Sequence, residues 1–170
     1  MGRTEPGGLI ARYVTVDDFS DILPPEAVSH DLVAASKKAL FQTLAHLAAE
    51  RLGLDARQVA ERLGERERLG STGFGGGVAI PHGKIDDLHH VVGLFAKLAQ
   101  PIEFSAIDGM PVDLIFMLLS PPGASVDHLK ALARVSRRLR DRGFVAKLRG
   151  AGSADAIYAL FADSQARDAA

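Results

Sequence analysis

The segment Val112–Ser120, VDLIFMLLS, limits the fold more than any other part of this 170-residue chain. Its unbroken apolar core, Leu114 to Leu119, cannot alternate between interior and water, so as a strand it must be covered on both faces. The run is far short of the ~20 residues a membrane-spanning helix needs. Pro121-Pro122-Gly123 ends it abruptly. A strand hidden on both sides requires helices on both sides, and helical spacings flank it in the chain.

Before it, Ser36 is placed to cap a helix with Leu40, Phe41, Leu44, Leu47, Ala48 and Leu52 on one side, and Gly53 follows as the stop. Asp55 opens a second helix, with Gln58 three residues on in a capping-box-like pair. After it, Ser125 caps a helix carrying Leu129, Leu132, Ser136 and Leu139 that stops near Gly143. Two short helices follow, Phe144–Arg149 and Ala154–Ala162, the latter capped by Ser153. Further strands are expected at Val78–Ile80, stopped by Pro81, at Val91–Leu98, and as a short piece at Ile102–Phe104. The expected fold class is α/β: a single domain with a mixed β-sheet covered on both faces by helices. The domain runs over residues 18–164, with 1–17 a flexible N-terminal extension and 165–170 a C-terminal tail.

Composition narrows the function. Twenty Lys+Arg against 21 Asp+Glu give a formal net charge of -1, which argues against a nucleic-acid binder. The absence of Cys excludes disulfides, thiolate metal sites and a cysteine nucleophile. The N-terminus lacks the apolar stretch of a signal peptide, so a cytoplasmic location is expected, with no membrane insertion. No cofactor is called for.

The chemistry concentrates in Gly70–Lys84, GSTGFGGGVAIPHGK. Successive glycines permit backbone N–H groups to converge on an anion. Two nucleotide motifs fail here: Val78 and Ile85 stand where a G-x-x-x-x-G-K-[ST] loop needs a glycine and a hydroxyl, and Val78 or Ile80 ends any G-x-G-x-x-G. His82 lies between Pro81 and Gly83, a setting that presents an imidazole at a sheet edge. Read on residues alone, it is equally a turn histidine with no chemical role.

The stretches RERLGSTG (66–73) and GVAIPHGK (77–84), followed in order by IDGMPVDLIFMLLS (107–120) and HLKALARVSRRL (128–139), resemble the mannitol/fructose-class enzyme IIA family of the bacterial phosphotransferase system. They look most like its nitrogen-regulatory branch, and the resemblance covers roughly Ser20 to Phe161. It implies a phosphotransferase-system component of regulatory role. His82 would accept a phosphoryl group from an HPr/NPr-like histidine phosphocarrier protein, itself charged from phosphoenolpyruvate. His128 would be the second active-site histidine and Arg66 the active-site arginine. Ser71, Thr72, Gly75, Gly77 and Gly83 are then candidate phosphate neighbours. The implied partners are the carrier and regulatory targets such as potassium-transport or sensor-kinase proteins, and the chain would be a monomer or weak dimer. The alternatives are a sugar-specific (fructose or mannitol) IIA passing phosphate to a separate IIB, and a non-enzymatic module that holds an anion.

Residue by residue, plainer roles stand beside these. Arg66 in ERER suits a solvated helix end, His128 an exposed first-turn residue, and Ser71 and Thr72 ordinary turn positions. Phe74 and Gly76 stand where the family pattern leads one to expect an aliphatic and a polar residue. Phe74 is equally suited to docking a partner and to collapse into the core. His89 and His90 carry no metal motif, and no metal site is expected. His30 and His46 read as helical or pre-helical. Arg134, Arg137, Arg138, Arg140 and Arg142 make one helix strongly basic, most simply as a solvated face.

Overall fold

The computed structural model describes residues 18–162, so the expected extension 1–17 and tail 165–170 lie outside the described residues. Six strands form one mixed sheet: β1 (Val28–Leu32), β2 (Gly73–Gly75), β3 (Val78–Ala79), β4 (His82–Lys84), β5 (Val92–Ile102) and β6 (Val112–Ser120). Five helices accompany it: α1 (Lys37–Leu52), α2 (Ala56–Arg68), α3 (Ser125–Leu139), α4 (Arg142–Gly150) and α5 (Ala154–Ala162). The strand order is β1-β5-β6-β3-β2, with β4 also on β6. β1 runs parallel to β5, β5 antiparallel to β6, and β3 and β4 parallel to β6.

The apolar run is the central β6, and every residue from Leu114 to Ser120 is buried whichever face it points to. Helices therefore cover both faces, as expected. Below them Phe161 of α5 packs 5.0 Å from Phe95 and 5.6 Å from Phe116, ring centroid to centroid, and 5.2 Å from Phe144. Such aromatic contacts add to the area they bury. Gly93 of β5 lies under this cluster: a Cβ there would sit 2.6 Å from Phe116 Cε1. Gly93→Ala is expected to destabilise the fold by about 1–3 kcal/mol through overpacking, read as a lower midpoint in denaturant unfolding.

The helix ends show both agreement and correction. Ser36 Oγ accepts from Ala39 N at 3.1 Å, and Gly53, at φ 69°, closes α1 in the left-handed conformation. Asp55 caps α2, but Gln58 does not reach back to it; its side chain instead bonds Asp86 at 2.7 Å, tying α2 to the loop after β4. Ser125 is not the cap of α3. Ala124 holds that position with no side-chain bond, and the Ser125 hydroxyl receives Lys84 Nζ at 3.2 Å. α3 stops at Leu139 rather than near Gly143, because Asp141 caps a new helix by accepting from Phe144 N. α4 therefore begins at Arg142, earlier than expected.

Three strand expectations change. His30 lies in β1, an element that the polar VSHDL concealed. Ile102 is the last residue of a long β5 rather than the start of a separate strand. Pro81 does not end the strand line: Val78 pairs with Leu114 and His82 with Leu118, the same register along β6 on either side of the proline. Pro81 has no N–H to give, yet its carbonyl still accepts from Leu118 N at 2.9 Å.

Candidate functional site

Because β4 keeps register with β6, His82 is carried to the end of the strand line where Ser120 turns into α3. Gly83, beside it, lets α2 approach closely: a Cβ there would lie 2.9 Å from Arg62 Cβ. One helical turn after Arg62 comes Arg66 on the same side of α2, and its Nε donates to His82 Nε2 at 3.2 Å. Arg66 Nη1 donates to the carbonyl of Gly70 at 2.8 Å, which fixes the plane of the guanidinium.

These contacts determine the histidine's tautomer. His82 Nδ1 lies 2.9 Å from the Ile80 carbonyl, which can only accept, so Nδ1 carries the proton. Arg66 can only donate, so Nε2 holds the lone pair. Burial pushes the His82 pKa below its ordinary value. The Ile80 carbonyl acts in the opposite direction, the Arg66 charge adds to the lowering, and Glu67 opposes it. The imidazole is thus kept neutral with Nε2 as its nucleophilic nitrogen.

His128 is not an exposed first-turn residue. It is buried, with its ring centroid 5.3 Å from that of His82. Its Nδ1 is hydrogen-bonded with Ser120 Oγ, and its pKa is lowered by burial first and then by His82 and Lys84. Ser120 was missed in the sequence; its only signal is a hydroxyl closing an otherwise apolar run. Lys84 was missed too. It lies two residues beyond His82 on the same face of β4, with Nζ reaching the Ser125 hydroxyl at the start of α3.

Glu67 organises the loop between α2 and β2. Its nearly buried carboxylate accepts from Lys37 Nζ at 2.9 Å and from the Thr72 hydroxyl at 2.6 Å, and both its oxygens receive the Thr72 N–H. Thr72 is therefore engaged by Glu67 rather than aimed at an anion. Ser71, adjoining it, accepts from Gly73 N.

Gly75 and Gly77 need correction as phosphate neighbours. β2 and β3 form a hairpin turning at Gly76 and Gly77, and Gly77 O accepts from Asp113 N and Leu114 N at the opposite end of β6 from His82. The intervening strand is roughly 13 Å or more long at about 3.3 Å per residue. Their positive φ values, 108° and 79°, serve the turn. Gly83 is beside His82, but its glycine requirement comes from the packing of α2. His89 and His90 are exposed, and no metal-holding group occurs among the described residues.

Arg66, His82 and His128 thus come together from α2, β4 and α3 as a fixed cation, a neutral nucleophile and a second imidazole. This set suits the capture and release of a phosphoryl group. The low pKa sets the pH behaviour. Any reaction needing the neutral His82 is expected to keep more than half its maximal rate at pH 6.5 and to fall only in more acidic solution, measured with a pre-charged donor from pH 5 to 8. A midpoint at or above 6.5 would contradict the buried geometry. Protonation also opposes folding: with both folded pKa values below the unfolded ~6.5, the stability held above that pH is lost as the solution is acidified through the folded values.

Among the described residues no helix is long and apolar enough to cross a membrane. The chain is 52% identical over 85% of its length to a nitrogen regulatory protein of Bradyrhizobium diazoefficiens, of which it covers 94%. A fructose-specific EIIA component of a phosphotransferase system from Haloferax volcanii is 36% identical over 87% of this chain and 97% of its own. The crystal structure of nitrogen regulatory protein IIA-Ntr from Neisseria meningitidis superposes with a TM-score of 0.78 at 37% identity, covering 84% of this chain and 97% of that one. Residues 21–164 match the model of the phosphoenolpyruvate-dependent sugar phosphotransferase system EIIA 2 family, and with the nitrogen regulatory relative this places the chain in that family as a IIA protein of the nitrogen regulatory type.

Proposed function

We propose that this protein is reversibly phosphorylated on His82 Nε2 by a histidine phosphocarrier protein and regulates its targets through that phosphorylation state. The observation that carries this is the pair of one-way contacts on His82, which leave Nε2 as the ring's lone-pair nitrogen and put Arg66 beside it. In the transfer, the Nε2 lone pair attacks phosphorus in line, an Nε2–P bond forms, and the N–P bond of the carrier breaks with its electron pair returning to the carrier's imidazole. His82 gives up no proton, because Nδ1–H stays on the Ile80 carbonyl. The Arg66 guanidinium turns from Nε2 to the phosphoryl oxygens, where its donor fork fits their geometry. His128, held through Nδ1 by Ser120, offers its second nitrogen to the same oxygens. The added charge at a partly exposed site is itself the signal, read by targets such as potassium-transport or sensor-kinase proteins in the cytoplasm.

The 52% relative named as a nitrogen regulatory protein supports the regulatory branch. The fructose-specific relative supports a second reading, in which the phosphoryl group passes on to a separate IIB. Intact-mass measurement after incubation with phosphoenolpyruvate, enzyme I and the carrier tests the site. One acid-labile phosphoryl group is expected on wild type and none on His82→Ala. Phosphate retained by His82→Ala would remove His82 from the reaction. Rapid onward transfer to a sugar-specific IIB would decide for the second reading. No modification of wild type by a verified charged carrier would leave an anion-binding module.

A further inference from the structure

The end of the glycine hairpin that points away from His82 borders a cavity of about 660 Å³, within the usual range for small-ligand sites. Its walls include Phe74 and Gly76 of the hairpin, Leu139 and Arg140 at the end of α3, and Arg142 and Arg149 of α4. Two contacts hold the hairpin tip in place. Gly76 N donates to Asp108 at 2.9 Å, and Gly76 O accepts from Arg149, which is itself paired in two bonds with Asp113. The cavity is therefore built on a braced turn rather than a loose one.

Its chemistry is that of an anion joined to a flat ring. The Phe74 ring is half-buried, and the Arg140 guanidinium carbon lies 5.6 Å from its centroid, within cation–π range. Arg140 and Arg142 are exposed and form no ion pair among the described residues, so two donor forks remain for a ligand. Asp108 also lines the cavity, with its oxygens already engaged by Gly76 and Met110. Solvated surface arginines alone would explain two cations. They do not explain an aromatic ring at the cavity wall within cation–π range of one of them.

We propose that this cavity binds a nucleoside diphosphate, with the base against Phe74 and the phosphates on Arg140 and Arg142. Side-chain forks hold the phosphates here, so neither of the glycine-loop motifs missing from the sequence is needed. The site is independent of the proposed phosphorylation, being at the other end of β6.

Titration calorimetry on the full chain tests it with ADP and GDP, and with inorganic pyrophosphate and adenosine as the separated halves. At least one diphosphate is expected to bind with a Kd below about 1 mM and at least about fivefold more tightly than pyrophosphate, consistent with base stacking. Phe74→Ala should abolish that advantage, and Arg140→Ala or Arg142→Ala should weaken binding about tenfold. His82→Ala should bind as wild type does. Thermal melts check that each variant is folded. Failure of every diphosphate to bind at millimolar concentration would overturn the proposal. So would equal affinity for pyrophosphate and ADP, which marks an unselective anion surface, or loss of binding in His82→Ala alone.

Discussion

Replacing Arg66 with alanine is expected to slow phosphoryl acceptance by about 10²–10³-fold, the usual cost of removing one donor aimed at developing charge. Arg66 donates directly to the nucleophilic nitrogen and is oriented by the Gly70 carbonyl. Its half-buried position at the end of α2 carries little of the core, so the melting temperature should move only slightly. Arg66→Lys should recover only part of the rate, because a single ammonium cannot grip Gly70 and a phosphoryl oxygen together. Rapid-quench kinetics with saturating charged carrier reads both effects. A rate within threefold of wild type for Arg66→Ala would sink its assigned role.

The second large effect is on stability. Glu67→Ala leaves Lys37, the Thr72 hydroxyl and the Thr72 N–H without their common acceptor. Lys37 also lies 4.6 Å from the Phe104 ring centroid, so its stem is packed and cannot turn freely to water. Breaking a buried pair on one side costs about 3–5 kcal/mol. Lys37 is partly exposed, which lowers the expectation to about 2–4 kcal/mol, or roughly 5–15 °C in Tm for a domain of this size. Because the same loop carries Gly70, acceptance by His82 should slow as well. Thermal melts of Glu67→Ala and Glu67→Gln measure the first effect; an unchanged Tm in both would show that the carboxylate does not brace the loop.

The elements readable in advance were those with a strong local signal. β6 announced itself by six consecutive apolar residues, α1 by Ser36 and Gly53, and α5 by Ser153, which accepts from Ala156 N. β1 was hidden because VSHDL mixes polar residues into a strand that, among the described residues, lies at the sheet edge and pairs with β5 alone. β2 is three residues, two of them glycine, and exists only because β3 pairs with it. Pro81 misled for a related reason: a proline stops a strand when its N–H is needed, and here only its carbonyl is used. At the site, recurring motifs marked Arg66, His82 and His128, while Ser120 and Glu67 carried no mark. Their importance comes from which neighbour the fold delivers, and a single sequence does not display that. Gly75 and Gly77 are near His82 along the chain but not in space, because the hairpin turn carries them to the other end of β6.

The shared register of β3 and β4 along β6 has a consequence for how the protein is made. His82 acquires its tautomer from Ile80 next to it, but Arg66 reaches it only once α2 has docked, and His128 only once α3 has folded back from β6. These are non-local closures in a mixed sheet, the kind that forms late. A nascent or partly unfolded chain has the histidine but not the geometry that makes it reactive. The phosphorylation proposed for His82 would thus be confined to molecules that have completed folding.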